Sequence, residues 1–328
     1  MEIKHRIIFG GGGMENNDDC IQYSIVIPVY NSEKSLEELV NRILSSMFLI
    51  TEQFEIILID DCSYDDSWNL LKKLHQTTNK LKIIHLLKNF GQHNALLCGF
   101  SYAKGEYIIV MDDDLQNSPE DIPILIDKIW EGYSVVFGKY KVKYHSSIEN
   151  FFSRRYQGFI HHILDIPTDI FISSFVILKR DVVKNMISIK SSYIFLPALM
   201  QKSVPTRKIT NVEVTHNPRK YGKSNYNIRK YLSLSLNLII NYSTLPLVMI
   251  GLFGIFISLF SLGYGLSIIG RYIIDPSYGV MGWNSLMVAL SFLGGTILFS
   301  IAIIGEYLRR ILMEVSYGQQ YVIDEIEL

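Results

Sequence analysis

With 328 residues, a formal net charge of −1 and 48 % hydrophobic residues, the chain is long enough for one main domain and a smaller appendage. The near-zero charge argues against nucleic acid as a main partner, because a surface that neutralises phosphates makes a domain basic. Three cysteines, Cys20, Cys62 and Cys98, are too few and too scattered for a disulfide framework or a zinc site, and are expected to be reduced thiols facing the cytosol.

Residues 1–20 have neither the apolar core nor the cleavage pattern of a signal peptide and are expected to be a disordered leader. Their run Gly10–Gly13 lacks the Lys-Ser/Thr ending of a phosphate-binding loop. From 24 to 138, short apolar runs alternate with amphipathic stretches. Ser24–Val29, Glu55–Ile59, Lys82–Leu86 and Tyr107–Met111 are rich in Ile and Val and suit buried strands. Helical patterns lie between them at Glu33–Phe48, Asp65–His75 and Pro119–Trp130. Ser63 with Asp66, and Ser118 with Pro119 and Asp121, mark the starts of the second and third. This alternation predicts an α/β fold, a mostly parallel sheet with helices on both faces.

Ligands of such sheets sit at the carboxyl ends of the strands. Polar residues gather at each of those ends: Pro28-Val29-Tyr30-Asn31, Asp60-Asp61-Cys62-Ser63, Lys88-Asn89-Phe90-Gly91-Gln92-His93 and Asp112-Asp113-Asp114-Leu115-Gln116. Residues 139–160 are basic and aromatic without a period, with Lys139, Lys141, Lys143, Arg154 and Arg155, and read as a loop leading into a short helix. A second mixed region ends near Tyr226.

Beyond Leu245 the chain changes solvent. Leu245–Ile269 and Ser285–Ile304 carry no charge and are each about long enough to cross a bilayer, which needs ~20 apolar residues. A soluble helix of that length normally keeps a polar face. Arg219, Lys220, Lys223, Arg229 and Lys230 precede the first span, and Arg309 and Arg310 follow the second. The linker between them has only Arg271, offset by Asp275, so both termini are expected on the cytoplasmic side. Asn227–Tyr242 suits an interfacial helix lying along the membrane.

An acidic triplet is ordinarily a solvated turn. Asp112-Asp113-Asp114 instead ends a buried strand beside three other polar strand ends, which favours a ligand site. In extended chain, residues two apart point the same way, so Asp112 and Asp114 are expected to reach one ion while Asp113 faces elsewhere, toward the nucleotide ribose. Carboxylates completed by substrate phosphates suit Mg²⁺ or Mn²⁺. Of the pair Asp60-Asp61, at least one is expected to accept hydrogen bonds from a ligand, with Asp60 on the nucleobase side; Asp61 or Ser63 can equally cap the next helix. Pro28, Tyr30 and Asn31 are placed to frame the base, and Asn89 and Asp113 join the nucleotide-sugar side.

Ser24-Ile-Val-Ile-Pro-Val-Tyr-Asn31, Ile59-Asp-Asp-Cys-Ser63, Asn89-Phe-Gly-Gln-His-Asn-Ala95 and Met111-Asp-Asp-Asp-Leu-Gln-Asn-Ser-Pro-Glu120 resemble family 2 glycosyltransferases of the GT-A fold. With Arg219-Lys-Tyr-Gly-Lys-Ser-Asn-Tyr226, Gly305-Glu-Tyr-Leu-Arg-Arg310 and the two spans, the likeness is to the polyprenyl-phosphate branch, including dolichol-phosphate mannose synthases and undecaprenyl-phosphate formamido-arabinose transferases. The resemblance implies a GT-A catalytic domain over 21–226, an interfacial helix over 227–243, two transmembrane helices within 244–308 and a cytoplasmic tail over 309–328. It implies a multi-pass enzyme of the bacterial cytoplasmic membrane that inverts the anomeric centre, and assembly of copies through the spans. Asp112, Asp114 and Gln116 would hold the metal; Pro28, Tyr30 and Asp60 would contact the nucleotide. Arg219 and Ser224 would lie near the diphosphate and acceptor phosphate, with 139–160 as the acceptor loop.

Departures from the family pattern concern the sugar more than the reaction. Ser32 stands where the family often has Glu, Asn225 where it has Lys, and lysines replace arginines early in the acceptor loop, losing the bidentate fork. Asp169-Ile-Phe-Ile-Ser-Ser-Phe175 also differs from the arabinose-type enzymes. A phosphate monoester, with a second pKa of about 6, is largely a dianion at neutral pH and is its own nucleophile. Lys139, Arg154 and Arg219 are expected to hold it in line, and His93 to position rather than act as a base. Two spans are too few for a wide polysaccharide channel. The alternative readings are transfer to a lipid-linked oligosaccharide or another membrane glycan, and a non-catalytic nucleotide-binding adaptor.

Overall fold

The computed structural model describes residues 21–140, 167, 169–189, 194–218, 220, 245–274, 282–315 and 320–328. The leader, most of the basic 139–160 segment and the interfacial segment lie outside these residues. In chain order the elements are β1 (Tyr23–Val29), α1 (Leu36–Phe48), β2 (Phe54–Asp60), α2 (Ser67–His75), β3 (Leu81–Leu86), α3 (Gln92–Tyr102), β4 (Tyr107–Val110), α4 (Ile122–Trp130) and β5 (Val135–Tyr140). Then follow β6 (Val176–Lys179), α5 (Arg180–Ser188), α6 (Leu196–Ser203), β7 (Ile209–Val214), α7 (Leu245–Ile274), α8 (Trp283–Val315) and β8 (Ile323–Glu327).

The strands form one sheet in the order β7-β5-β6-β4-β1-β2-β3-β8. Pairings β1–β2, β1–β4, β2–β3 and β5–β7 are parallel; β6 is antiparallel to both β4 and β5, and β8 to β3. Every residue of β1 and β2 is buried, as expected where helices cover both faces. Strand alternation divides the core in two. Ile25, Ile27, Ile56 and Leu58 pack with Leu39, Ile43, Leu71 and Leu125 of α1, α2 and α4. Val26, Ile57, Ile59 and Ile84 pack with Leu96, Phe100, Met186 and Leu199 of α3, α5 and α6. α3 comes so close to the sheet that a Cβ on Gly99 would lie 2.5 Å from Ile59 Cδ1 and from Val26 Cγ1.

The helix starts differ from the sequence expectation for a shared reason. α1 begins at Leu36, because Ser32–Ser35 turns first, the Ser35 N–H donating to the Ser32 carbonyl at 3.0 Å. α2 begins at Ser67, and Ser63 does not cap it because its hydroxyl is used by Asp60. Pro119–Asp121 is a 3-10 turn before α4, and Ser118 makes no capping bond, accepting instead from Asn217 Nδ2 at 2.8 Å. Polar residues expected to end helices are drawn into the strand-end cluster.

Both apolar C-terminal segments are helical; at 1.5 Å per residue α7 is about 45 Å long and α8 about 50 Å. Large apolar side chains stay exposed along them, among them Leu252, Phe256, Phe260, Leu290 and Phe299. Among the described residues one window, Phe292–Arg309, is long and apolar enough, by length and composition, to cross a membrane. The segment expected as a tail over 309–328 contains defined elements. α8 continues to Val315, and Ile323–Glu327 returns as β8 to the edge of the sheet, where Tyr321 and Ile323 pack on the core.

Placing Val at Gly99 forces α3 off β1 and β2. It is expected to destabilise the protein by about 1–3 kcal/mol. A lower melting temperature of the purified chain checks this; unchanged melting contradicts the close approach.

Candidate active site

β1 and β4 are neighbours in the sheet but not in sequence, so the chain diverges between them and leaves a crevice at their carboxyl ends. After β1, Asn31 adopts the left-handed conformation, φ 54°, which asparagine tolerates better than most residues. Its backbone N–H donates to Ser63 Oγ at 2.9 Å, and its side-chain oxygen accepts from the Tyr64 N–H at 2.8 Å. These bonds staple the loop after β1 to the loop after β2. They hold the exposed rings of Tyr30 and Tyr64 edge to face, 6.4 Å apart. Pro28 is buried within β1, in register with Ile59.

At the end of β2 the two carboxylates face different elements. Asp61 accepts from the backbone N–H groups of Phe90 and Gly91, at 2.7 and 2.8 Å, at the start of α3. Burial raises its pKa and those N–H groups work against the rise. Asp60 is wholly buried, accepting from the Ser63 hydroxyl, from the Ser63 N–H at 3.2 Å and from His85 Nδ1 at 2.7 Å. Ser63 and His85 were not singled out for the site in the sequence. Asn89, after β3, is exposed.

The triplet after β4 does not continue as extended chain. β4 ends at Val110 and Asp113–Leu115 bends, with Leu115 at φ 62°, so strand alternation is not what orients Asp112 and Asp114. Asp113 does point elsewhere, back to the β1 loop, accepting from the Tyr30 N–H at 3.1 Å and from the Ser32 hydroxyl. Burial pushes its pKa up to about 7, against the pull of those two donors and with help from the neighbouring Asp112 and Asp114. Asp112 accepts from Gln92 Nε2 at 2.8 Å and from the Ser174 hydroxyl. Asp114 accepts from the Gln116 N–H at 3.1 Å. The Gln116 carbonyl in turn accepts from the Asn217 N–H at 2.9 Å, tying the triplet to the chain after β7.

Among the described residues no three His, Cys, Asp or Glu side chains form a metal cage. The residues expected to hold a metal, Asp112, Asp114 and Gln116, would offer hard oxygen donors only. That chemistry fits a divalent cation whose remaining positions are filled by substrate phosphates.

Lys139 lies on β5 rather than in a loop, exposed and in register with Glu213 of β7. Next to it, the Tyr140 hydroxyl donates to Asn117 Oδ1 at 3.1 Å, and its ring lies 4.2 Å from His216 and 5.8 Å from Phe171. Arg154, Arg219 and Ser224 fall outside the described residues. Lys220, beside Arg219, is held by Glu38 of α1 at 2.6 Å. His93 packs edge-on to Phe195, and burial lowers its pKa to about 4. Its Nδ1 has no hydrogen-bond partner among the described residues. Gln92, Ser32 and Ser174 are contacts that motif reasoning missed. Gln92 sat visibly in a polar strand end, whereas Ser174 precedes β6 in a stretch with no pattern to mark it.

The profile described as Glycosyl transferase family 2 matches residues 24–187. An undecaprenyl-phosphate 4-deoxy-4-formamido-L-arabinose transferase from Shewanella sediminis is 31 % identical over 315 residues, covering 95 % of each chain. An uncharacterized glycosyltransferase from Synechocystis is 34 % identical over 307 residues, 93 % of this chain and 96 % of that one. Among solved structures, glucosyl-3-phosphoglycerate synthase from Mycobacterium tuberculosis, in complex with phosphoglyceric acid, superposes with a TM-score of 0.50 at 16 % identity. The match covers 67 % of this chain and 78 % of that chain, and it shows a common fold.

With a pKa near 4, His93 is a poor general base at neutral pH. Phe at this position keeps the ring contact, and turnover is expected to stay within about tenfold of the parent, since a general base contributes on the order of 10²–10⁴-fold. A hundredfold loss in kcat would contradict a positional role.

Proposed function

The chain belongs to glycosyl transferase family 2, and from that premise we propose that it transfers a sugar, with inversion, from a nucleotide-sugar to a polyisoprenyl phosphate at the cytoplasmic face of a bacterial membrane. The observation that carries the reading is Asp113, between Asp112 and Asp114, bonded to the loop after β1, which is itself stapled to the loop after β2. Undecaprenyl phosphate is the acceptor favoured by likeness to undecaprenyl-phosphate sugar transferases, a likeness that extends over more than nine-tenths of the chain.

Tyr30, Tyr64 and Asn31 frame the nucleotide, and Asp60, itself buried, acts on the base through the Ser63 it holds; Asp61 and Asn89 belong to the same side. Asp113 secures the loop after β1 and faces the ribose. Asp112, Asp114 and Gln116 would hold a divalent ion, Mg²⁺ or Mn²⁺, which would neutralise charge growing on the departing nucleotide. The acceptor phosphate, already a dianion, attacks the anomeric carbon directly. Lys139, Arg154, Arg219 and Ser224 are assigned to its capture. No side-chain base is required, in keeping with the low basicity of His93.

The membrane assignment draws support from sheet topology. β7 and β8 belong to one sheet, while α7 and α8 lie between them in sequence. A chain that leaves a cytoplasmic sheet and rejoins it must cross the bilayer an even number of times, and two crossings match the two apolar helices. Their exposed apolar side chains then face lipid. The arrangement holds the site near the interface, where the acceptor phosphate lies.

The test uses full-length protein in micelles containing undecaprenyl phosphate, a panel of radiolabelled nucleotide-sugars and Mn²⁺ or Mg²⁺. Label is expected in a lipid released by mild acid. Transfer should vanish on chelation, return with added ion, and fall by orders of magnitude in Asp114→Ala while membrane insertion persists. Full turnover by Asp114→Ala would refute the metal assignment; label confined to an acid-stable glycan would refute the acceptor.

A further inference from the structure

The strand that closes the sheet edge also reaches the nucleotide side of the crevice. Asp60 on β2 is in register with His85 on β3, and His85 is in register with Glu325 on β8. These residues therefore form one row across three strands. His85 Nδ1 lies 2.7 Å from Asp60 Oδ2, and a carboxylate, being acceptor-only, places the imidazole proton on Nδ1. The indole of Trp68, from α2, stacks on the His85 ring with centroids 4.9 Å apart and planes 26° apart. Trp68 Nε1–H donates to Glu325 Oε2 at 3.1 Å, and Lys72 clamps the same carboxylate from 2.7–2.8 Å.

We propose that Glu325 of the C-terminal strand is a positioning residue for nucleotide binding, acting through Trp68 and His85 on Asp60. The inference rests on the assignment of Asp60 to the base. A buried carboxylate with three donors around it is set by their placement, and His85 is the donor that comes from outside its own loop. The His85 ring is free to tilt unless something lies on its face. Trp68 does so, and Glu325 fixes the indole. The Lys72–Glu325 pair is partly exposed and contributes little stability. Its value lies in orientation, and it makes nucleotide affinity depend on the segment that follows α8.

Binding of nucleoside diphosphates is compared with binding of inorganic pyrophosphate, both with Mn²⁺, by calorimetry on the full-length chain. The probes are UDP, GDP, ADP and CDP, and the tightest is followed. Glu325→Ala and Trp68→Phe each remove the indole hydrogen bond and should weaken the nucleoside diphosphate about tenfold, the worth of a well-made hydrogen bond. Pyrophosphate, which has no base, should bind as before. Glu325→Gln keeps a carbonyl for the indole N–H and should restore most of the affinity. Unchanged nucleoside diphosphate affinity in Glu325→Ala and Trp68→Phe overturns the relay, as does equal weakening of pyrophosphate. Asp60→Asn separates the two levels. If it leaves nucleoside diphosphate binding intact, the assignment of Asp60 fails and the relay with it. If Asp60→Asn weakens binding while Glu325→Ala and Trp68→Phe do not, the relay alone fails.

Discussion

Repulsion among carboxylates brought to one edge of a parallel sheet is the constraint around which the site is built. Asp60 ends β2 and Asp61 follows it, while Asp112, Asp113 and Asp114 follow β4. Each is handled by a different device. Asp61 takes two backbone N–H groups at the start of α3, the end of a helix that favours negative charge. Asp60 is wrapped by Ser63 and His85. Asp113 turns to the β1 loop, and burial of its carboxyl raises its pKa to about 7. Asp112 is met by Gln92 and Ser174, and Asp114 by the Gln116 N–H. An edge of this kind suits a hard cation carrying an anionic diphosphate, the pairing that family 2 chemistry calls for.

The same constraint explains how the fold is joined. Loops after β1, β2 and β4 are cross-braced by side chains that must satisfy the acids, and those braces fix the crevice before any ligand arrives. Asn31 bridges β1 to β2, Ser32 bridges β1 to β4, and Gln92 bridges α3 to β4. Beyond this cluster, β8 extends the order to the C-terminus. A segment separated from β7 by two long apolar helices returns to pair with β3, so the sheet takes strands from both sides of the proposed membrane anchor in sequence.

Much of this was legible in the sequence. Buried strands covered on both faces need unbroken Ile and Val, and each of the four runs read as a strand is one within a residue or so. Strand ends were legible because polar clusters interrupt apolar runs. Helix starts were less so, since Ser63 and Ser118 carry the chemistry of caps yet spend their hydroxyls on Asp60 and Asn217. β8 was missed because Ile-Asp-Glu-Ile-Glu buries little and reads as a solvated tail; its pairing with β3 and the Glu325–Lys72 contact arise only in three dimensions. The i, i+2 argument for Asp112 and Asp114 assumed extended chain, whereas the backbone bends at Asp113–Leu115. Asp113 still separates from its neighbours, through its bonds to Tyr30 and Ser32.

The most direct measurement is a cryo-EM or crystal structure of the full chain in lipid with a nucleoside diphosphate and Mn²⁺. The ion is expected between the diphosphate and the carboxylates of Asp112 and Asp114, at oxygen distances of about 2.1 Å, with the base beside Tyr30. An ion bound elsewhere, or a diphosphate seated in the β4–β1 crevice with neither carboxylate near it, would contradict the account.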